Sequence, residues 1–176
     1  MGKSYKNHTG YRVGIRCGMT GKKKVLVVLG SGGHTAQMLK LLKLLGDKYE
    51  YEYAVNDGDV LSTKKINGRV YTISNPRVYP YGITMWRLIL CIEKSFITLV
   101  KSKPDAIISA GPGLTVPLFI LGKLFRKKCI FLESWSRNSS RSQSGRFCYY
   151  IADLFFIQWP DMKKLYPKAI YAGRLS

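Results

Sequence analysis

Short apolar blocks alternate along the chain with segments of helical spacing. Val25-Leu26-Val27-Val28-Leu29 has no polar interruption, as a strand buried on both faces of a parallel sheet requires. Gly30-Ser31-Gly32-Gly33 breaks the block. Met38, Leu41, Leu42 and Leu45 then share one face, predicting a helix over about 34–45 that Gly46 closes. Residues 49–55 alternate and predict a second strand. Asn56-Asp57-Gly58-Asp59 is a turn cluster, with a short helix over 59–66 and a third strand over 69–73 that Asn75-Pro76-Arg77 ends. Residues 83–100 carry a long, heavily apolar helix stopped by Pro104. A fourth strand (106–108), a second glycine turn (109–113) and a helix (114–125) follow. Cys129-Ile130-Phe131-Leu132 is a fifth strand ending at Glu133. Residues 134–145 read as a polar, serine-rich loop carrying part of a site. A helix (146–152), a strand (154–157), a helical turn (162–166) and a short strand (170–171) complete the pattern.

Strands alternating with helices predict an α/β fold, a Rossmann-like parallel sheet flanked by helices. The chain divides into a basic, flexible leader (1–23) and one domain (24–176). Ligands of such sheets sit beyond the carboxyl ends of the strands, where both glycine turns and Glu133 fall. The first turn joins a strand end to a helix start, placing bare backbone N–H groups and a positive helix end together, an arrangement that binds anions and phosphates above all. Its glycines let the backbone turn and approach a ligand closely. The spacing is neither G-x-G-x-x-G nor a Gly-Lys-Ser/Thr loop, and close helix–strand packing alone would also account for it. His34, one of two histidines, follows immediately and is placed to project over an anion.

Charge sharpens this picture. Twenty-nine Lys and Arg against ten Asp and Glu give a formal charge of +19, which predicts an anionic partner: nucleic acid, an anionic membrane surface or phosphorylated substrates. Cys17, Cys91, Cys129 and Cys148 form no C-x-x-C pair, which suits reduced core thiols and offers neither a zinc site nor a disulfide framework. No apolar run reaches the roughly 20 residues of a membrane-spanning helix. No cluster has metal-ligand spacing, and no cofactor is expected. In the long helix, Met85, Trp86 and Ile89 exceed what one buried stripe needs; with Tyr79 and Tyr81 nearby and Arg87 and Lys94 flanking, they suggest a contact with an anionic membrane surface.

From about residue 24 onward the chain resembles the membrane-associated, acceptor-side subunit family of the two-part UDP-N-acetylglucosamine transferase of dolichol-linked oligosaccharide biosynthesis. The resemblance rests on Gly30-Ser31-Gly32-Gly33-His34-Thr35, Pro76-Arg77, Lys103-Pro104-Asp105, Gly111-Pro112-Gly113 and Val116-Pro117. It continues through Glu133-Ser134, Arg137, Ser144-Gly145, Gln158-Trp159-Pro160, Tyr166-Pro167-Lys168 and Gly173-Arg174. More distantly, the chain is similar to the amino-terminal half of the bacterial transferase that forms lipid II. The resemblance implies one Rossmann-like half of a GT-B glycosyltransferase facing the lipid acceptor. A separate donor-binding subunit supplies the other half, joined as a heterodimer through the C-terminal tail. Relatives often carry an amino-terminal transmembrane helix, where this chain has the basic leader. The implied location is the cytoplasmic face of a membrane, the endoplasmic reticulum in a eukaryote or the plasma membrane in a prokaryote.

The reaction implied is inverting transfer of N-acetylglucosamine from UDP-N-acetylglucosamine to a lipid-diphosphate-linked N-acetylglucosamine. It needs a base near the acceptor hydroxyl and positive dipoles around diphosphates. His34 is the first choice for that base or for orienting the acceptor, and Glu133 the competing one, with an ion pair to Arg137 or Arg77 as the alternative role for Glu133. Gly30, Ser31, Gly32, Gly33, Thr35, Gly111, Gly113 and Ser134, with Arg77 and Arg137, are the candidates for holding the acceptor diphosphate. Two other functions remain open: a polysaccharide-pathway transferase subunit using another sugar, and a basic nucleic-acid-binding module. No nucleic-acid recognition motif supports the latter.

Overall fold

The computed structural model describes residues 21–78, 82–83 and 85–175, with the backbone alone given for 77, 78, 82 and 83. Five strands follow one another as β1 (Lys24–Val28), β2 (Glu50–Asn56), β3 (Val70–Ile73) and the short pair β4 (Arg77–Val78) and β5 (Gly82–Ile83). Later in the chain come β6 (Ala106–Ser109), β7 (Lys128–Leu132), β8 (Leu154–Ile157) and β9 (Ile170–Tyr171). The helices are α1 (Gly33–Leu45), α2 (Val60–Thr63), α3 (Met85–Ser102), α4 (Thr115–Leu124) and α5 (Gln143–Ile151), with 3-10 turns at Gly46–Lys48 and Pro160–Lys164.

Seven strands form one parallel sheet in the order β3-β2-β1-β6-β7-β8-β9. From β1 the chain winds first toward β3, then crosses back to β6 on the other side of β1, and that reversal opens a crevice at the carboxyl edge between β1 and β6. Alternate β1 side chains feed two separate cores, as the two-residue period of a strand dictates. Val25, Val27 and Leu29 pack with Met38 of α1. Leu26 and Val28 pack on the opposite face, with Cys91 and Leu99 of α3 and Leu118 and Phe119 of α4. On that face α4 lies between α3 and α5.

The expected α/β architecture is therefore the observed one, and boundaries differ for local reasons. α5 starts at Gln143, three residues before the expected start, because the Ser142 hydroxyl caps it by accepting from the Gly145 amide at 2.9 Å. α2 is only Val60–Thr63, capped by Asp59, whose carboxylate accepts from the Ser62 amide at 3.1 Å. The antiparallel β4–β5 pair was not expected from the sequence, since two-residue strands carry no periodicity. The leader lies outside the described residues up to residue 20, as do Cys17, Tyr79 and Tyr81. Cys91, Cys129 and Cys148 are buried and free, and burial pushes their thiols up, to about 11 for Cys91 and about 12 for Cys129. They behave as small apolar core residues.

Phe131 of β7 is fully buried, stacked on Phe155 at 4.9 Å and edge-on to Phe119 at 6.2 Å. Phe131→Ala removes a ring from both contacts and leaves a cavity. Denaturant unfolding should record a loss of about 3–5 kcal/mol; a loss below about 1 kcal/mol would mean that this layer does not carry the core.

Candidate functional site

The loops after β1 and β6 touch at the crevice. A Cβ built on Gly30 would lie 2.7 Å from the Cβ of Pro112, so only glycine allows the two loops this approach. Gly32 (φ +68) and Gly111 (φ +99) take left-handed backbone conformations that L side chains rarely adopt. α1 then begins behind Gly32 with no side-chain cap, and α4 begins behind Leu114 likewise uncapped. α5 enters the same region from Ser142. None of the three helices has an acidic residue in its own first turn, and the positive ends of α1 and α4 face the crevice, while the start of α5 rests on the buried Glu133 carboxylate.

These elements line an open cavity of about 750 Å³, and among the described residues no acidic side chain lines it. Gly30, Ser31 and His34 form one wall and Gly111, Pro112 and Gly113 the next. The serine-rich segment and α5 complete it with Ser134, Arg137, Arg141 and Arg146. Arg137 donates to the Ser140 hydroxyl at 3.2 Å. Arg141 is anchored, donating to the Leu165 carbonyl with its guanidinium 5.3 Å over the Tyr166 ring. Among the described residues, the ion pairs are all made by lysines, leaving Arg137, Arg141 and Arg146 without a carboxylate partner. A half-open cleft with three arginines that pair with no carboxylate suits a multiply charged anion.

His34 faces the cavity with its orientation fixed. Its Nδ1 lies 2.7 Å from the Ala110 carbonyl, which can only accept, so Nδ1 carries the proton. In the neutral ring Nε2 then holds the lone pair.

Glu133 sits behind this wall. Its residue is 1% exposed, and its carboxylate accepts from the Tyr166 hydroxyl at 2.7 Å and from the Ser134 amide at 3.0 Å. Burial first, and then the hydrogen bond to Glu133, raise the Tyr166 phenol above its ordinary value, so Tyr166 stays a donor. The Glu133 carbonyl accepts from Gln158 at 2.8 Å and from Gln37 at 3.3 Å. Among the described residues Glu133 makes no ion pair with Arg137; it fixes the strand end from which the serine-arginine loop departs.

The other expected residues divide in the same way. Gly30, Ser31, His34, Gly111, Gly113, Ser134 and Arg137 meet at the cavity. Thr35 is buried, its hydroxyl donating to the Gly30 carbonyl and 2.8 Å from that of Ser62, so it braces the loop. Gly32 and Gly33 are exposed at the turn. Arg77 starts β4, and its side chain lies outside the described residues. Arg141, Arg146, Asn56, Asn75 and Ser144 were not anticipated as lining residues. For the first and last of these the signal was the composition of 134–145; Asn56 and Asn75 were legible only as turn residues after β2 and β3. The groups present form no metal site among the described residues.

Comparison with known proteins shows the family. A family model described as "Oligosaccharide biosynthesis protein Alg14 like" matches residues 25–175. The UDP-N-acetylglucosamine transferase subunit ALG14 of Homo sapiens is 33% identical over 177 residues, covering 86% of this chain and 82% of that protein. Its counterpart in Schizosaccharomyces pombe is 31% identical over 175 residues, covering 86% and 83%. Among solved structures, MurG of Acinetobacter baumannii aligns with a TM-score of 0.67 at 16% identity, over 79% of this chain and 42% of that one. A UDP-N-acetylglucosamine 2-epimerase from Rickettsia bellii aligns at 0.66 and 13% identity, over 88% and 45%. The chain spans less than half of either structure, and at such identity the likeness is one of fold alone, a Rossmann-like parallel sheet flanked by helices.

The loop contact yields a paired test with inorganic pyrophosphate. Gly30→Ala must force the two loops apart, whereas a Cβ on Gly113 meets its nearest neighbour at an ordinary 3.7 Å. Calorimetric titration should find pyrophosphate affinity reduced about tenfold or more by Gly30→Ala and little changed by Gly113→Ala. Equal affinities for both variants would mean that the loop approach does not shape the anion site.

Proposed function

The chain belongs to the Alg14-like family of oligosaccharide-biosynthesis proteins, and on that premise we propose that it is the acceptor-side subunit of an inverting UDP-N-acetylglucosamine transferase. The observation that carries this reading is the acid-free cavity, with three arginines, two glycine loops and one histidine whose tautomer is set by the Ala110 carbonyl. The acceptor is a lipid-diphosphate-linked N-acetylglucosamine. Its diphosphate lies against the arginines and the amides of the glycine loops, where fixed dipoles need no reorganisation to hold it. Its 4-hydroxyl reaches His34.

The step is a single displacement at the anomeric carbon of UDP-N-acetylglucosamine. The acceptor oxygen forms the new bond to that carbon, the bond from carbon to the UDP oxygen breaks, and UDP leaves with the electron pair. The acceptor proton passes to His34 Nε2, and the Ala110 carbonyl stabilises the imidazolium through Nδ1–H. Glu133 and Tyr166 act through the arginine loop as positioning residues. This domain supplies one wall of the cleft, and a donor-binding subunit supplies the other. The C-terminal tail is the proposed docking element. Up to Leu175 it rests on its own domain, Leu175 donating to Gln158 Oε1 at 3.0 Å and Arg174 lying 4.9 Å over the Trp159 ring.

Among the described residues no helix is long and apolar enough to cross a membrane. The proposed attachment is through α3, whose Met85 and Trp86 are 73% and 69% exposed and whose Ile89 is 49% exposed. Arg87 flanks them, and Lys94 lies farther along, paired with Asp57 at 3.4 Å. The proposed location is the cytoplasmic face of a membrane, with the acceptor's head group within reach.

Two measurements test this reading. With the donor-binding subunit present, His34→Ala should lower kcat by about 10²–10⁴-fold and leave pyrophosphate affinity near that of the parent chain. Full activity of His34→Ala would reduce the chain to a recruiter. Co-sedimentation with anionic vesicles should fall clearly when Trp86 and Ile89 are both replaced by Glu; undiminished sedimentation would remove α3 from the membrane.

A further inference from the structure

Two sequence motifs, Gln158-Trp159 and Gly173-Arg174, take no part in the cavity wall, yet they meet beyond the carboxyl end of β8. Gly173 takes a left-handed conformation (φ +96) just after β9, and Arg174 and Leu175 then come to rest on Trp159 and Gln158. Each of these two side chains makes a second bond, to the loop after β7. Gln158 is 2% exposed; its Oε1 accepts from the Leu175 amide at 3.0 Å, and its Nε2 donates to the Glu133 carbonyl at 2.8 Å. Arg174 lies over the Trp159 ring, whose Nε1 donates to the Trp135 carbonyl at 2.7 Å. Two parallel links thus run from consecutive residues of the tail to alternate carbonyls of the loop. The carbonyls they hold belong to the peptide units that lead into Ser134 and Ser136. Both serines line the anion cavity, and their hydroxyls lie 2.9 Å apart.

We infer that Gln158 and Trp159 are positioning residues that couple the seating of the C-terminal tail to the grip of the serine-arginine loop on its anion. The inference rests on the acceptor reading above and deepens it: the tail proposed to meet the donor-binding subunit is joined to the wall that holds the acceptor's diphosphate. A carboxamide donates at one end and accepts at the other, so Gln158 ties two main-chain groups together where a carboxylate could only accept. The indole of Trp159 does the same, offering its face to a cation and its N–H to a carbonyl. Burial makes the link cooperative. A buried Gln158 that lost the Leu175 amide would keep an unpaired Oε1 out of water, so the seated tail and the fixed carboxamide favour one another. Linkage then runs both ways, and an anion in the cavity tightens the seat of the tail by the same factor.

The test uses the full chain with inorganic pyrophosphate as the probe. Leu175→Pro removes the amide donor of the tail and Arg174→Ala its cation, and neither residue lines the cavity. Gln158→Met keeps the length of the side chain without its polar end, and Trp159→Phe keeps a ring for Arg174 without the N–H. The chain carrying both tail changes should bind pyrophosphate about fivefold or more weakly than the parent chain. Added to a chain that already carries Gln158→Met and Trp159→Phe, the same tail changes should cost nothing further, because the links are already cut. The Leu175 amide resonance should shift as pyrophosphate is added to the parent chain, with the dissociation constant of the cavity, and stay still in Gln158→Met. Parent-like affinity in the tail variant, whatever happens to its melting temperature, assigns the contacts to stability alone and overturns the inference. A tail effect of full size in the chain with both links cut overturns it too, since that is charge acting at a distance. Arg174 is exposed and Leu175 only half-buried, so the tail variant decides the matter even where Gln158→Met fails to fold. Absence of pyrophosphate binding in the parent chain would refute the acceptor reading and the inference together; binding there without a tail effect refutes the coupling alone.

Discussion

The loop after β1 meets the loop after β6 in a contact that organises everything at the crevice. Gly30 lies against Pro112 with no room for a side chain, at the point where the sheet reverses its winding direction. That contact brings the starts of α1 and α4 together, and the Ser144 hydroxyl, donating to the Gly111 carbonyl, draws α5 toward the same point. A parallel sheet opens such a crevice for topological reasons. What is particular to this chain is that the crevice is filled with main-chain amides, serines and arginines, and that acidic groups are kept out of it.

The electrostatic arrangement has a second layer. Glu133 is a buried carboxylate behind the arginine wall, satisfied by the Tyr166 hydroxyl and the Ser134 amide. A Cβ on Gly145 would fall on Glu133 Oε2 and lie 2.6 Å from Tyr166 Oη, so α5 is pressed directly onto this pair. Tyr166 also carries Arg141 on its ring. One buried hydrogen-bonded pair therefore ties together a strand end, the start of a helix and a cavity-lining arginine. Buried polar networks of this kind fix geometry when every member is satisfied.

The sequence made most of this architecture legible. The uninterrupted block at 25–29 announced a buried central strand, and the two glycine turns marked the edge where the site forms. His34 stood out by position, and its neighbour carbonyl Ala110 could not be foreseen because 76 residues separate the two. Glu133 was correctly placed at a strand's carboxyl end, but its burial depends on Tyr166 arriving from 33 residues away. Thr35 carried the right motif position, yet its hydroxyl is taken by the Gly30 carbonyl and Ser62. Arg141 and Arg146 were hidden in a general basic excess; the Ser142 cap of α5, the Ser144 bond to the Gly111 carbonyl and the anchoring of Arg141 on Tyr166 set that segment at the cavity. Local pattern specified the elements, and long-range contacts selected which polar side chains face the crevice.

On the proposed reading, one anion is held jointly by the amides of both glycine loops. The most direct measurement is the backbone amide NMR spectrum of the full chain during titration with pyrophosphate. The amides of Ser31 to His34 and of Gly111 and Gly113 should shift together, with one dissociation constant. Shifts confined to the lysines at the amino edge of the sheet, or different constants for the two loops, would contradict that reading.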